Sequence, residues 1–205
     1  MKFKFLIPAM FCSAAFVFLA GCGGGNKTPG VPALNYTDPA PGNGFRFIRN
    51  TNLSTKSKLV LDLVARGQAD ESAGIAFMLS LNRTDIVNWA WVSDRYIIDP
   101  DFTYYVQNGA VFDLGVAPVG VKSRVSASGA QLQAVVAQKG IDNLKNLNSG
   151  VLARVALSLK PGVNVTPGTV TIRLTADEFQ IIPNTRTVMA IPLENVLLGT
   201  LDVQN

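Results

Sequence analysis

From position 45 onward the chain is divided into short apolar stretches in which every second residue is hydrophobic, and nowhere does a long helical pattern replace them. The alternation is plainest at residues 58–64, 74–81, 131–138, 152–159 and 169–175, and each of these reads as a strand with one buried face. Less regular candidates are residues 45–49, 87–92, 102–107, 110–114, 121–126, 179–182 and 188–203. Glycine-containing pairs punctuate them at Arg66-Gly67, Asn108-Gly109, Ser128-Gly129, Lys139-Gly140, Ser149-Gly150, Pro161-Gly162 and Pro167-Gly168. Only residues 84–87 and 141–147 suit a short helical turn. Strands at this spacing, joined by tight turns, predict an all-β fold: an antiparallel two-sheet sandwich of jelly-roll or Greek-key type with about nine to ten strands.

A hydrophobic share of 48% in 205 residues is enough to fill the core of one such domain, which the pattern places at residues 45–205. The 18 basic residues nearly balance the 14 acidic ones, so the chain lacks the field that gathers polyanions, and no nucleic-acid partner is expected.

The amino-terminal segment has a different character. Lys2 and Lys4 precede an apolar run over residues 5–20, which ends in Leu19-Ala20-Gly21-Cys22. A charged start, an apolar stretch and small residues before a break describe a signal peptide over residues 1–21, and the run is short of the roughly 20 residues that a membrane span requires. Glycine and proline then dominate residues 23–44, the composition of a flexible linker. The Leu19–Cys22 tetrapeptide in this setting resembles the lipobox of bacterial lipoproteins. That resemblance implies that Cys22 is acylated and becomes the first residue of the mature chain, an exported protein anchored to the membrane. Gly23 stands where an aspartate retains many such lipoproteins in the inner membrane, which implies the outer membrane in a Gram-negative host. Cys12 leaves with the signal peptide, so no internal disulfide is expected. Without Lys2 and Lys4, 16 basic residues face 14 acidic ones, a net charge near +2.

A second resemblance lies in the body of the chain. Gly74-Ile75-Ala76-Phe77 follows a glycine–hydrophobic–x–phenylalanine pattern, and Gly150-Val151-Leu152-Ala153-Arg154-Val155 leads through Pro161-Gly162 to a further strand. Over about residues 57–176 this resembles the cohesin and carbohydrate-binding-module superfamily. Where cohesins commonly carry a Tyr-Asp pair after the early strand, this chain has Asn82-Arg83. The resemblance implies a jelly-roll sandwich and a non-catalytic role in binding either a protein partner or a polysaccharide.

Candidate sites are few. The chain has no histidine, which removes the commonest general base near neutral pH and the usual imidazole ligands. Asp94, Asp99 and Asp101 form the densest acidic group, with Asp177-Glu178 a smaller one. The first group reads as solvated loop carboxylates; calcium ligation and a glycosidase acid pair are the alternatives, although the register of a dedicated calcium loop is missing. No cofactor is otherwise expected. Trp89 and Trp91 lie two apart, so within one strand they share a face, and Tyr96, Tyr104 and Tyr105 follow closely. Such rings either fill the interior or form a stacking surface for a sugar or a protein. Lys56, Lys58 and Arg66 read as a solvated strand edge. The expectation is a membrane-anchored binding module without catalysis. A structural part of an envelope, secretion or pilus complex is the alternative, and a glycoside hydrolase using the loop carboxylates is the remoter one.

Overall fold

The computed structural model describes residues 31–68, 70–92, 105–112, 120–138, 143–163, 169–183 and 187–204. Their strands, in chain order, are β1 (Ala33–Thr37), β2 (Gly44–Arg49), β3 (Lys58–Arg66), β4 (Glu71–Ser72), β5 (Gly74–Leu81), β6 (Val87–Ala90), β7 (Val106–Asn108) and β8 (Val121–Val125). They continue with β9 (Gln131–Ala137), β10 (Lys145–Asn146), β11 (Val151–Leu159), β12 (Thr169–Ile172), β13 (Leu174–Ile181), β14 (Met189–Ala190), β15 (Val196–Leu197) and β16 (Thr200–Gln204). The helical segments among the described residues are two single 3-10 turns, Leu147–Ser149 and Leu193–Asn195.

Two sheets form the sandwich. One runs β15-β2-β3-β11-β6, with β7 also pairing β11, and the other runs β14-β13-β5-β9-β8. The alternation that marked the strands also selects their inner faces: Leu59, Leu61 and Leu63 of β3 and Val155 and Leu157 of β11 face Ile75, Phe77 and Leu79 of β5 and Leu132 and Val136 of β9. Four rings join the layers. Phe45 meets Phe179 at 4.4 Å between centroids, Phe47 meets Phe77 edge-on at 5.7 Å, and Phe77 stacks on Phe179 at 6.2 Å. The all-β sandwich is thus the fold. Its strands pair antiparallel except β15 with β2, which are parallel.

Four sequence expectations are corrected. Residues 33–37 lie in the stretch assigned to the linker, yet they form β1, which pairs along its whole length with β16 and buries Leu34 and Tyr36. Alternating Leu34 and Tyr36 outweigh the surrounding prolines because their burial adds to the core. Residues 169–175 are two strands instead of one. β12 joins β1 and β16 in a small sheet, and after Arg173 the chain crosses to β13 in the five-stranded sheet. Asn82 holds that crossing, its Oδ1 accepting from the Arg173 amide at 2.7 Å. The terminal apolar stretch, residues 188–203, is broken into β14, a 3-10 turn, β15 and β16. Residues 110–112 form a bend, with the Phe112 carbonyl held by Asn108 Nδ2 at 2.7 Å and the Phe112 ring buried.

Two turn glycines act for different reasons. Gly129 sits at φ +75° in the β8–β9 turn, a conformation that side chains with a Cβ rarely adopt. Gly109 is required by proximity: its amide donates to Leu152 O at 2.9 Å, and a Cβ there would run into the Val151 carbonyl. Gly109→Ala therefore pushes the β7 end away from β11. Its expected cost is about 1–3 kcal/mol, as for other overpacked sites, read as a lower urea midpoint.

Candidate functional site

The tryptophan pair does not share a face. β6 pairs with β11 only as far as Ala90 opposite Ala156, and beyond that rung the strand period no longer governs the side chains. Trp89, opposite Leu157, is 3% exposed and belongs to the core, where its indole Nε1 has no hydrogen-bond acceptor among the described residues. Trp91 is 53% exposed. Val92 turns back onto the outer face of the sheet, where it covers Val60, Ala156 and Ala90 in a small separate apolar cluster. Lys58 Nζ donates to the Val92 carbonyl at 3.3 Å and holds this segment down. Tyr105 is half-buried against the core. Tyr96, Tyr104, Asp94, Asp99, Asp101 and Cys22 lie outside the described residues.

Among the described residues, the outer face of the six-stranded sheet carries the ion pair of Arg154 with Asp62. Arg154 Nε approaches Asp62 Oδ1 at 2.8 Å, and Asn50 Nδ2 donates to the other Asp62 oxygen at 2.9 Å. Each carboxylate oxygen is thereby satisfied across neighbouring strands, which is a structural arrangement. Asp177 sits at a bulge in β13 and accepts from the Ser80 hydroxyl, while Glu178 is exposed. Among the described residues no three histidine, cysteine, aspartate or glutamate side chains come together in a way that would hold a metal ion.

The five-stranded sheet presents a different outer face, whose two central rows hold no aromatic side chain. Its register places Lys122, Val135, Ala76, Gln180 and Ala190 in one cross-strand row, and Arg124, Gln133, Met78 and Glu178 in the next. The centre is apolar or uncharged, with Val135 39% exposed and Met78 half-buried beside it. Gln133 Nε2 lies 3.7 Å from the Met78 sulfur. One edge is basic through Lys122 and Arg124, and the β13 side carries Glu178. At the β8–β9 turn, Arg124, Ser126, Ala127, Gln131 and Gln133 line a shallow hollow of about 230 Å3. The signal was in the sequence: in Gln131–Ala137 the positions holding Leu132, Ala134 and Val136 are the more apolar set, which leaves Gln131, Gln133 and Val135 outside. An apolar centre with an amide and charged rim is the surface chemistry of a protein contact. Methionine and glutamine adapt to more than one shape.

Solved structures similar to this chain include the sixth cohesin of scaffoldin B from Acetivibrio cellulolyticus, solved with a Cel5 dockerin mutant, at 12% identity and a TM-score of 0.48 over 77% of this chain and 97% of that one. The seventh ScaB type I cohesin of Pseudobacteroides cellulosolvens is similar at 12% identity and 0.45, over 70% and 80% of the two chains. The cohesin in the Coh-OlpA-Doc918 complex of Clostridium thermocellum is similar at 9% and 0.45, over 83% and 97%. No family model matches the sequence, and no curated protein matches it.

Proposed function

We propose that the chain is a non-catalytic binding domain, exported and anchored to the membrane through acylated Cys22, which recognises a protein partner with the outer face of its five-stranded sheet. In a Gram-negative host the anchor lies in the outer membrane. The observation that carries the reading is the pair of rows Lys122–Val135–Ala76–Gln180 and Arg124–Gln133–Met78–Glu178, a broad face with an exposed apolar centre and a charged rim. Lipid anchoring is supported by the Leu19–Cys22 resemblance. A non-catalytic role is supported by the absence of histidine from the sequence and by the structural engagement of Asp62 and Asp177.

Polysaccharide recognition is the second reading, favoured by one observation, the exposed indole of Trp91. The two separate cleanly. A photo-reactive amino acid at position 135 is expected to cross-link a protease-sensitive partner in intact cells. Val135→Arg is expected to weaken retention of that partner by about tenfold or more, the effect of a charge at an interface centre, while Trp91→Ala leaves it unchanged. Loss of retention on Trp91→Ala alone, together with capture by an insoluble polysaccharide, overturns the protein reading.

A further inference from the structure

The tether is shorter than its composition indicates, and the end of the sandwich to which it connects is basic. Because β1 begins at Ala33 and is fully paired, ten residues separate it from Cys22, and eleven chain steps span at most about 40 Å. The Leu34 amide donates to Lys56 O at 2.7 Å, so the loop holding Lys56 flanks the point where the chain joins the domain. The same end gathers the start of β3 and the end of β11. Ser158 pairs with Lys58, the Leu159 amide donates to Ser57 O at 2.9 Å, and the Lys160 amide donates to Ile86 O at 2.9 Å. Lys56 and Lys160 are exposed, and Lys58 is half-buried with its ammonium against Val92 O. Of the carboxylates near this end, Asp85 is taken up by Arg83 through two hydrogen bonds of 2.8 and 2.7 Å, and Asp202 is half-buried on β16 opposite Asn35, whereas Lys56 and Lys160 stand open to solvent. Val31 is 82% exposed two residues before β1, and Leu53 is exposed in the Lys56 loop. The opposite end, around Arg66, Glu71, Lys145 and Glu194, mixes both signs.

We infer that this end is a second contact surface, which lays Lys56, Lys58 and Lys160, with Val31 and Leu53 beside them, on an anionic phospholipid surface. The inference rests on the anchoring reading for Cys22. A ten-residue tether keeps the lysines near the headgroups, where each cation is drawn to a negative surface, and exposed apolar residues suit the interfacial layer. The domain then stands with its tether end down, and the outer face of the five-stranded sheet stays open to a partner.

The test uses the full acylated chain reconstituted into vesicles of phosphatidylcholine alone or mixed with phosphatidylglycerol, with mass-spectrometric readout of amine labelling. Lys56 and Lys160 are expected to label roughly tenfold more slowly on the phosphatidylglycerol vesicles, and Lys145 equally on both. The protection is expected to vanish near 1 M salt, where the screening length falls to about 3 Å. It is also expected to fall at Lys160 in Lys56→Gln and to persist in Lys145→Gln. Equal labelling of Lys56 and Lys160 on the two lipids, with the protein still floating on both, overturns the docking surface and leaves the anchor standing. Failure to float on phosphatidylcholine vesicles overturns the anchor and the docking with it.

Discussion

Phe179→Ala is expected to lower the unfolding free energy by about 3–5 kcal/mol, the range for truncating a fully buried ring. Phe179 is 2% exposed on β13 and touches rings from both layers, Phe45 across the sandwich and Phe77 beside it in its own sheet. Removing it takes away its own burial and opens a cavity that Phe45 and Phe77 cannot close without leaving their strands. A domain of this size holds about 5–15 kcal/mol in total, so the loss is a large share of its stability. Urea unfolding checks it: the midpoint falls while the slope stays the same. Phe179→Leu, which keeps most of the volume, costs less, and equal losses in the two variants would refute the cavity argument.

Tyr36→Phe is expected to cost roughly 2–4 kcal/mol although it removes one atom. The Tyr36 hydroxyl donates to Phe47 O at 2.9 Å and accepts from the Gly199 amide at 2.6 Å, so it joins β1, β2 and the turn before β16. Phenylalanine fills the same space and leaves two backbone groups without a partner, each worth about 1–3 kcal/mol when buried. The same group supplies a pH signature. Burial pushes the Tyr36 phenol up to about 12, with the Gly199 hydrogen bond opposing it. Between about pH 10 and 12 the unfolded chain has released this proton and the folded one has kept it, so the folded state binds more protons and stability falls as pH rises. Wild type is therefore expected to lose about 1–3 kcal/mol through this group across that window. Tyr36→Phe lacks that component, so the stability difference between the two proteins narrows toward pH 12. A constant difference would show that Tyr36 ionises alike in both states.

Asp85 shows how little an exposed pair contributes by comparison. The Arg83 guanidinium, hydrogen-bonded to it, holds its carboxyl down at about 2, yet both partners are largely open to solvent. Pairs of this kind contribute little to stability and weaken with salt.

Much of the sandwich was legible beforehand because a half-buried strand writes its inner face into every second residue. Residues 58–64, 74–81 and 152–159 all fall within strands, and the more apolar set of each points inward. The helical turn expected at residues 84–87 is present as a turn in which the Val87 amide donates to Arg83 O at 3.1 Å. What failed depended on where a strand stops or whom it joins. Trp89 and Trp91 read as one face only while β6 lasts, and it ends between them. The outer face around Val135 is not legible as one surface in the sequence for a related reason: its apolar centre combines single residues from β5 and β9, far apart in sequence and ordinary in each.

Alternation and turn spacing, which are local consequences of burying one side of a pleated strand, determined that this chain is an all-β sandwich and which residues of long strands such as β3, β5 and β11 face inward. Only the tertiary structure decided the rest: that residues 33–37 leave the linker to pair with the last strand, that one run is shared between two sheets, and that three lysines gather where the chain joins the domain. Those outcomes depend on pairing between segments up to about 170 residues apart, whose hydrogen bonds and buried contacts exist only once both strands are in place.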